Sequence, residues 1–408
     1  MPFRYRRLLK EVKRKDKVRI VFLIQLASSW KYDYLFQLFL NDDRFDPIIA
    51  VCPVISYSND NKFMEMDRAI HFFQNLNYPV YPTWKKESRE WVDIKKDLKP
   101  DIVFFSNPWA DLSMPRYYIY SFLDTLSCYV PYGFKSSHLY QAIFNKPFQN
   151  LLWKIFYETE FHKSLAKKYG RNKGRNGVVT GYPGMDNLLS VGYESDSAWG
   201  NTDTNIKRII WSPHHSIFGK EDSNVGFSTF LKYYNFMIDV TDKYRSSVHF
   251  SFKPHPLLKS KLYKHKDWGR ERTDNYYSSW DSSPNTQLNE GNYIDLFLGS
   301  DAIINDGESF MVEYLYTKMP AMFLVADDTI TDRFNEFGKK AYKNLYKGYS
   351  EHDITSFIND VIIGGNDYKA KERIEFFDNQ VKPPNDVLAS ENIFNCISLS
   401  VSGKQKPA

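Results

Sequence analysis

Short apolar runs that end at polar turn residues, each followed by a helical segment, recur along this chain. VRIVFLIQL (18–26), FDPIIAVCPV (45–54) and DIVFFSN (101–107) are three of them. Continuous apolar runs of this length are typical of strands buried on both faces of a parallel sheet, and such strands need helical connections. The alternation therefore predicts the α/β class with doubly wound sheets.

The alternation breaks at the polar, turn-rich stretch VGYESDSAWGNTDTN and then restarts. In a chain of 408 residues this predicts two doubly wound, Rossmann-like domains facing a cleft, with C-terminal helices crossing back. The polar stretch 264–291 is predicted to be a long insertion or a loop that is mobile over a site. The predicted segments are a basic leader (1–17), an N-terminal domain (18–190), a linker (191–205), a C-terminal domain (206–330), C-terminal helices (331–397) and a tail (398–408).

Cysteine content and hydropathy narrow the class of protein. Cys52, Cys128 and Cys396 are isolated, so we expect neither a disulfide framework nor a cysteine-based metal site, and we expect a reducing compartment. No apolar run approaches the roughly 20 residues that span a bilayer. The first apolar run follows charged residues and is predicted to be a strand, not a signal peptide.

The first residues are strongly basic. FRYRRLLKEVKRKDKVR holds nine Lys and Arg against two acidic residues, and Phe3, Leu8, Leu9 and Val12 can form a narrow apolar stripe. Such a helix suits peripheral contact of residues 1–17 with an anionic membrane, although a solvated leader fits equally. Nucleic acid is not an expected partner, because the positive charge is not sustained along the chain.

The segment SDAIINDGESFMVEYLYTKMPAMFL reads as a strand, a tight turn and a helix. The free amides at the start of such a helix attract anions, so the turn is a predicted phosphate site. An acidic side chain one turn further on suits ribose hydroxyls, although a simple capping role explains the turn as well. The residues predicted to bind phosphate are Asp306, Gly307, Glu308 and Ser309, and the residue predicted to bind ribose is Glu313.

Two further strand ends carry basic groups. KPHP places Lys253 and His255 after one apolar run, and WSPHH places His214 and His215 after another. Fixed charge and imidazole donors suit a diphosphate, and we predict that all four contact the donor phosphates, with His255 also catalytic. No metal is predicted, because neither HxH nor CxxC spacing occurs.

The order WSPHH, KPHP and DLFLGSDAIINDGESFMVEYLYTKMP is similar to the second domain of the CDP-glycerol:poly(glycerophosphate) glycerophosphotransferases, the teichoic-acid-type polymerases and primases of bacterial envelopes. That family has a Lys-x-His-Pro strand end and an Asp-Tyr-Ser-Ser helix start followed by Lys-x-Pro. The likeness covers about residues 205–330. It implies a GT-B fold and a CDP-linked donor bound as substrate, with no cofactor.

The chain departs from the family pattern at two places. The family's His-Gly-Thr turn, whose histidine is taken as the base, is replaced by Tyr132-Gly133-Phe134, and its Thr-Trp-Arg is replaced by the paired histidines. A tyrosine is a poor base because its usual pKa is about 10. We therefore consider Tyr132, His138 and Asp111 as candidates for the base.

The resemblance implies an envelope transferase that moves glycerol phosphate, or a related alditol phosphate, to a hydroxyl of a polymer or lipid-linked acceptor. It would work in the cytoplasm at the inner face of a bacterial membrane. The alternatives are a glycosyltransferase that uses a nucleotide sugar for capsule or O-antigen, a sugar-nucleotide epimerase, and a binding protein on a decayed transferase fold.

Overall fold

The computed structural model describes residues 3–190, 198–200, 203, 205–219 and 226–402. These residues form two compact units. Unit 1 takes the described residues of Met1–Gly133, Leu139–Asn187 and Pro383–Ala408, and unit 2 takes those of Phe134–His138 and Leu188–Lys382. Most of the predicted linker and the end of the predicted tail lie outside the described residues.

Unit 1 is built on a parallel sheet of seven strands. The strands along this part of the chain are β1 (Val18–Ile24), β2 (Phe45–Val51), β3 (Val80–Pro82), β4 (Trp84–Lys85), β5 (Glu90–Trp91), β6 (Ile102–Phe105), β7 (Leu126–Tyr129), β8 (Lys154–Tyr157) and β9 (Gly177–Val179). The sheet order is β3-β2-β1-β6-β7-β8-β9, and β4 and β5 form a separate antiparallel pair. The order reverses between β1 and β6, the position at which doubly wound sheets bind ligands.

Unit 2 is built on a parallel sheet of six strands. They are β10 (Lys207–Ser212), β11 (Val248–Phe252), β12 (Thr286–Leu288), β13 (Ala302–Asn305), β14 (Ala321–Leu324) and β15 (Tyr346–Gly348). The order is β12-β11-β10-β13-β14-β15, so β10 and β13 are neighbours at the centre. The last strand lies inside the segment 331–397, for which the sequence predicted only helices.

Helices connect the strands of both sheets. They are α1 (Phe3–Val12), α2 (Asp33–Leu40), α3 (Asn59–Asn75), α4 (Ile94–Asp97), α5 (Tyr140–Phe144), α6 (Pro147–Leu151), α7 (Glu160–Tyr169), α8 (Asp186–Leu189), α9 (Phe230–Lys243), α10 (Leu258–Leu262), α11 (Gly269–Ser279), α12 (Ile294–Leu298), α13 (Glu308–Glu313), α14 (Glu336–Lys343), α15 (Glu351–Ser356), α16 (Ala370–Phe376) and α17 (Ala389–Val401). Helix α9 shows the pattern that buries them: Phe230, Tyr233, Met237 and Val240 recur at helical spacing and all lie in the core of unit 2.

The stretch 264–291 is structured, so the prediction of a long loop is wrong. Helix α11 runs through it, and β12 at its end pairs with β11. Tyr277 and Trp280 are buried against Phe252 of the sheet. Two aromatic side chains therefore supply the burial, while the polar residues that suggested a loop cover the outer side of the helix.

The C-terminal helix α17 packs within unit 1, as the predicted return of the C-terminal helices requires. Phe394 lies 5.3 Å from Phe39 between ring centroids. The Asp186 carboxylate accepts hydrogen bonds from the amides of Ala389 and Ser390, at 3.0 and 2.8 Å, and so caps the first turn of the helix. Burial raises the pKa of Asp186 to about 6.

The basic helix α1 is anchored on unit 1. Tyr5 and Val12 are buried, whereas Phe3 is 83% exposed. The predicted apolar stripe is therefore divided, with Val12 in the protein core and Phe3 at the surface. Within the described ranges, no helix combines the length and the apolar character that crossing a bilayer requires.

Candidate functional site

Two loops at the carboxyl edge of the unit 2 sheet are joined by hydrogen bonds. The Ser212 hydroxyl donates to the backbone oxygen of Lys253 at 2.7 Å, and the amide of His255 donates to Pro213 O at 3.1 Å. The residues of KPHP and WSPHH therefore lie side by side, as expected of neighbouring parallel strands that end at one edge.

The carboxylate of Asp306 is hydrogen-bonded to one of these loops and to Thr229. Its buried carboxylate accepts from the amide of His214 at 2.5 Å and from the amide and hydroxyl of Thr229 at 2.5 and 2.8 Å. Burial raises its pKa to about 6. Both carboxylate oxygens thus accept hydrogen bonds from protein donors, a geometry that suits a residue that positions the two segments; the phosphate contact of Asp306 stays a prediction from the sequence.

Three histidines of these loops form one cluster. The ring centroids of His214 and His215 are 4.2 Å apart, those of His215 and His255 are 4.3 Å apart, and those of His214 and His255 are 5.3 Å apart. One ring nitrogen from each lies within 4.8 Å of the others. This spacing of ring nitrogens is compatible with either a metal ion or an anion. The two differ in what they need from a ring nitrogen: a metal ion needs a lone pair, and an anion needs an N–H donor.

The hydrogen bonds of Ser216 determine the proton position on His214. The Ser216 hydroxyl oxygen accepts from the amides of Phe227 and Ser228, at 2.8 and 3.1 Å. Its single proton is then directed to His214 Nδ1, 2.8 Å away, and the Ser216 amide also points to this atom. Because Nδ1 accepts, the neutral imidazole of His214 carries its proton on Nε2.

The other two imidazoles have the same arrangement. His255 Nδ1 accepts from the amide of Leu257 at 3.1 Å, and His215 Nδ1 lies 2.8 Å from the Lys261 ammonium, which can only donate. With Nδ1 accepting on each ring, a neutral imidazole carries its proton on Nε2, which is then a hydrogen-bond donor. Three donors of this kind suit an oxyanion, whereas a metal ion needs a lone pair on the nitrogen that it contacts.

Two imidazoles of the cluster, those of His214 and His255, are uncharged near neutral pH. Burial holds the pKa of His214 and that of His255 well below the usual 6.5, and the charge of a neighbouring imidazole lowers both further. Lys253, only 5% exposed, lies in the same loop and adds repulsion toward a protonated His255. An anion bound here would oppose this repulsion and raise both pKa values.

The start of α13 adjoins the cluster. Gly307 is its N-terminal cap residue and offers no capping side chain, and a β-carbon built there would lie 3.7 Å from His214 Cδ2. Ser309 is half-buried in the first turn. One turn on, the buried Glu313 carboxylate accepts from the Tyr293 hydroxyl at 2.6 Å, so its orientation is set by the protein.

Glu308 anchors the segment Phe134–His138, which belongs to unit 2. Its carboxyl is enclosed although the residue as a whole is half-buried, and burial raises its pKa against the lowering effect of Lys135, of Ser137 and of His138. A carboxylate would repel a phosphate, and this one faces the segment that follows the Tyr-Gly-Phe turn. Glu308 is therefore placed to hold His138 beside the start of α13.

His138 has the opposite proton arrangement to the cluster. Its Nδ1 lies 2.9 Å from the backbone oxygen of Arg333, and its amide donates to the same oxygen at 2.9 Å. A carbonyl only accepts, so Nδ1 carries the proton and Nε2 keeps its lone pair. This is the orientation of a general base whose second nitrogen is held by an acceptor.

The remaining candidates for the base lie in unit 1. The Tyr132 hydroxyl accepts from Trp109 Nε1 at 3.2 Å, and Asp111 is exposed. The contact with Arg333 O fixes the ring of His138 with a lone pair on Nε2, and this orientation makes His138 the favoured base among the three candidates.

Sequence reasoning missed the residues that orient the site: Ser216, Thr229, Lys261, Tyr293 and Arg333. Of these five, Ser216 could have been suspected from the sequence, because it directly follows the paired histidines. The others come from separate segments, and Arg333 lies 195 positions from the histidine that it orients.

Sequence comparison identifies the family of the chain. Residues 154–399, more than half of the chain, match the model for CDP-glycerol:poly(glycerophosphate) glycerophosphotransferase. A search of curated proteins finds no match.

Solved structures share the fold at low sequence identity. The wall teichoic acid polymerase TagF aligns with a TM-score of 0.60 and 13% identity, over 97% of this chain and 94% of that one. MnaA of S. aureus, solved with UDP, aligns with a TM-score of 0.58 and 16% identity, over 97% and 99%. A UDP-GlcNAc 2-epimerase from Neisseria meningitidis aligns with a TM-score of 0.56 and 15% identity, over 94% and 99%.

These likenesses establish a GT-B-like fold of two parallel α/β sheets, which epimerases and transferases share, so the family match separates the two classes. The family match places the chain among transferases. The epimerase alternative is supported by the shared fold alone. The chain belongs to the CDP-glycerol:poly(glycerophosphate) glycerophosphotransferase family.

Proposed function

We propose that this enzyme transfers glycerol phosphate, or a related alditol phosphate, from a CDP-linked donor to a hydroxyl of an envelope polymer or lipid-linked acceptor. The observation that carries the proposal is the contrast in proton position within unit 2. Three imidazoles present N–H donors, and a fourth, His138, presents a lone pair. TagF offers a precedent for the donor, since a variant of it was soaked with CDPG.

The donor diphosphate is assigned to the histidine cluster. His214, His215 and His255 donate Nε2–H to phosphate oxygens, and the Lys253 ammonium adds fixed charge. The amides of Gly307–Ser309 extend the same site. Glu313 is assigned to the ribose hydroxyls. Phosphoryl transfer needs mainly positioning and charge stabilisation, which these groups supply.

His138 is assigned as the base. The acceptor oxygen attacks the phosphorus that bears the glycerol, and its proton moves to His138 Nε2. The bond from this phosphorus to the oxygen of CMP breaks, CMP leaves, and a phosphodiester remains. His255 stabilises the charge that develops on the leaving phosphate, and the Arg333 carbonyl stabilises the imidazolium that forms.

Helix α1 is proposed to bring the enzyme to an anionic membrane, at the cytoplasmic face where envelope precursors are assembled. Arg6, Arg7 and Lys10 are exposed on a helix whose Tyr5 and Val12 are buried in unit 1, and the exposed Lys13 directly follows this helix. Surface cations of this kind attract anionic lipids, and the exposed Phe3 can insert at the interface.

Calorimetric binding of a nucleotide panel tests the donor. CDP-glycerol and CDP-ribitol are compared with UDP-N-acetylglucosamine and GDP-mannose, for the wild type and for His255→Ala. We expect selective binding of a CDP-alditol that the substitution weakens. Selective binding of a nucleotide sugar would instead support the glycosyltransferase alternative, and conversion of the UDP-sugar without any acceptor would support an epimerase.

A further inference from the structure

The segment Phe134–His138 is held in unit 2 by a short antiparallel contact with the residues that precede α14. Ser137 forms an isolated β-bridge with Phe334. The amide of His138 donates to Arg333 O at 2.9 Å, and Nδ1 of the same histidine donates to that oxygen as well. The backbone of this segment therefore fixes where the imidazole of the proposed base lies.

Asn335 binds three consecutive carbonyl groups of this segment. Its backbone amide donates to Ser136 O at 2.8 Å. Its side-chain nitrogen Nδ2 donates to Lys135 O at 2.7 Å and to Ser137 O at 3.3 Å, so both protons of the amide group are used on the segment. Because Asn335 is 0% exposed, water does not compete for these carbonyl groups.

The same side chain begins α14. Asn335 Oδ1 accepts from the amide of Gly338 at 2.8 Å, the usual contact of an N-terminal cap residue. The oxygen of the amide group thus faces the helix, and the nitrogen faces the segment that carries His138. A cap needs only the oxygen, since aspartate and serine cap helices as well as asparagine does. The contacts of the nitrogen are therefore additional to the cap.

The first turn of α14 packs closely against the segment. A β-carbon built at Gly338 would lie 2.5 Å from Ser136 O and 3.0 Å from Ser136 Cβ. The ring of Phe337 stacks on that of Phe134, with the centroids 6.1 Å apart and 7° between the planes. Because contacts this close leave little room for movement, a change in this turn displaces the segment and the histidine at its end.

We propose that Asn335 is a positioning residue for the transfer reaction: its amide nitrogen holds the segment Phe134–His138 so that His138 Nε2 points to the acceptor hydroxyl. The inference rests on the proposed function, because it takes His138 as the base. Asn335 acts through the backbone of the segment and needs no contact with either substrate. The alternative is that Asn335 only caps α14.

Asn335→Asp separates the two roles, because a carboxylate still caps the helix but cannot donate to Lys135 O or Ser137 O. Asn344→Asp is the matched control. Asn344 is a buried asparagine at the other end of the same helix, and its Nδ2 donates to Lys340 O at 2.8 Å. If Asn335→Asp does not fold, Asn335→Ser replaces it, because serine is uncharged, also caps and lacks Nδ2.

Turnover is measured on the full chain with CDP-glycerol and a short poly(glycerophosphate), and donor affinity is measured by calorimetry. We expect Asn335→Asp to lower kcat by about 10- to 100-fold, the scale of a shift of about 1 Å in a catalytic group, with unchanged affinity for CDP-glycerol. Asn344→Asp should match the wild type. In a His138→Ala background Asn335→Asp should cause no further loss, since its effect passes through the imidazole.

NMR of the full chain labelled with 15N-histidine supplies a readout without turnover. The His138 signals, identified by their absence in His138→Ala, should report the proton on Nδ1 in the wild type and should change in Asn335→Asp but not in Asn344→Asp. Wild-type kcat in Asn335→Asp, an equal further loss in the His138→Ala background, or unchanged His138 signals would overturn the inference. Wild-type turnover in His138→Ala would instead contradict the proposed function, so the two failures are distinguishable.

Discussion

The carboxyl edges of the two sheets share a topology but differ in chemistry. In unit 2 the edge carries three half-buried histidines and the buried Lys253, and the buried carboxylate of Asp306 is hydrogen-bonded to the backbone amide of His214. In unit 1 a small cavity at the switch point, beside the ends of β1 and β6, is lined, within the described residues, by uncharged groups. The two edges thus share a topology, and the residues at the strand tips give each edge its own chemistry.

A second difference concerns histidine itself. In a neutral imidazole, a ring nitrogen that faces a hydrogen-bond acceptor carries the proton. Where one ring nitrogen faces a donor, the proton is on the other nitrogen. The cluster lies among donors and His138 lies against a carbonyl, so one residue type serves two roles within unit 2.

The largest effect is expected from His138→Ala. Loss of a general base lowers turnover by about 100- to 10,000-fold. Transfer to an acceptor is measured with saturating CDP-glycerol, beside Tyr132→Phe as the matched variant. A larger loss in Tyr132→Phe than in His138→Ala would transfer the role of base to the tyrosine.

His255→Ala should lower turnover by about 100- to 1,000-fold, the usual cost of removing one donor from developing negative charge. Because His255 is proposed to donate Nε2–H to a phosphate oxygen of the CDP-linked donor, its loss should also weaken binding of that donor. His352→Ala is the control, since His352 is exposed on α15. Equal turnover in the two variants would remove His255 from the site.

Replacing Arg6, Arg7 and Lys10 by serine should weaken sedimentation with phosphatidylserine vesicles by about tenfold or more, since each surface cation contributes about 1 kcal/mol near an anionic membrane. Turnover on a soluble acceptor should not change, because the helix is held by Tyr5 and Val12. Undiminished vesicle binding would leave α1 as a solvated leader.

The smallest effect is expected from the buried carboxylate that caps α17. Folding raises the pKa of Asp186 from 3.8 to about 6, so this group favours the folded state below pH 3.8, and the contribution is lost as the pH rises through 6. The unfolding free energy of the wild type should therefore fall relative to Asp186→Asn between about pH 4 and about pH 7, by on the order of 1 kcal/mol and at most about 3 kcal/mol.

Urea unfolding at the two pH values checks the sign of this change. Asp306→Asn provides the comparison in unit 2, where the carboxyl has a similarly raised pKa. A pH-independent difference between the wild type and Asp186→Asn would mean that the capping amides offset the cost of burying the charge.

The class of fold, the two sheets and the return of the last helix were predictable, because apolar runs and turn residues are local properties of a sequence. His214, His215, Lys253 and His255 were also predictable as neighbours, since parallel strands end at one edge. Helix α11 was not, because two aromatic anchors among polar residues resemble a loop until the sheet that buries them is present.

The roles of Asp306 and Glu308 needed the tertiary structure. Both carboxylates lie in the turn that the sequence predicts to be a phosphate site. In the structure, Asp306 is hydrogen-bonded to Thr229, 77 positions away. Glu308 faces His138, in a segment from the first half of the chain. No local pattern reports such partners.

The sequence by itself determined which strand ends carry imidazole, ammonium and amide groups, since these follow from the order of residues after each apolar run. The tertiary structure alone decided the proton position on His138 and on His215. An imidazole donates or accepts according to the group opposite its other nitrogen, and for these two rings that group is the distant Arg333 carbonyl or the Lys261 ammonium.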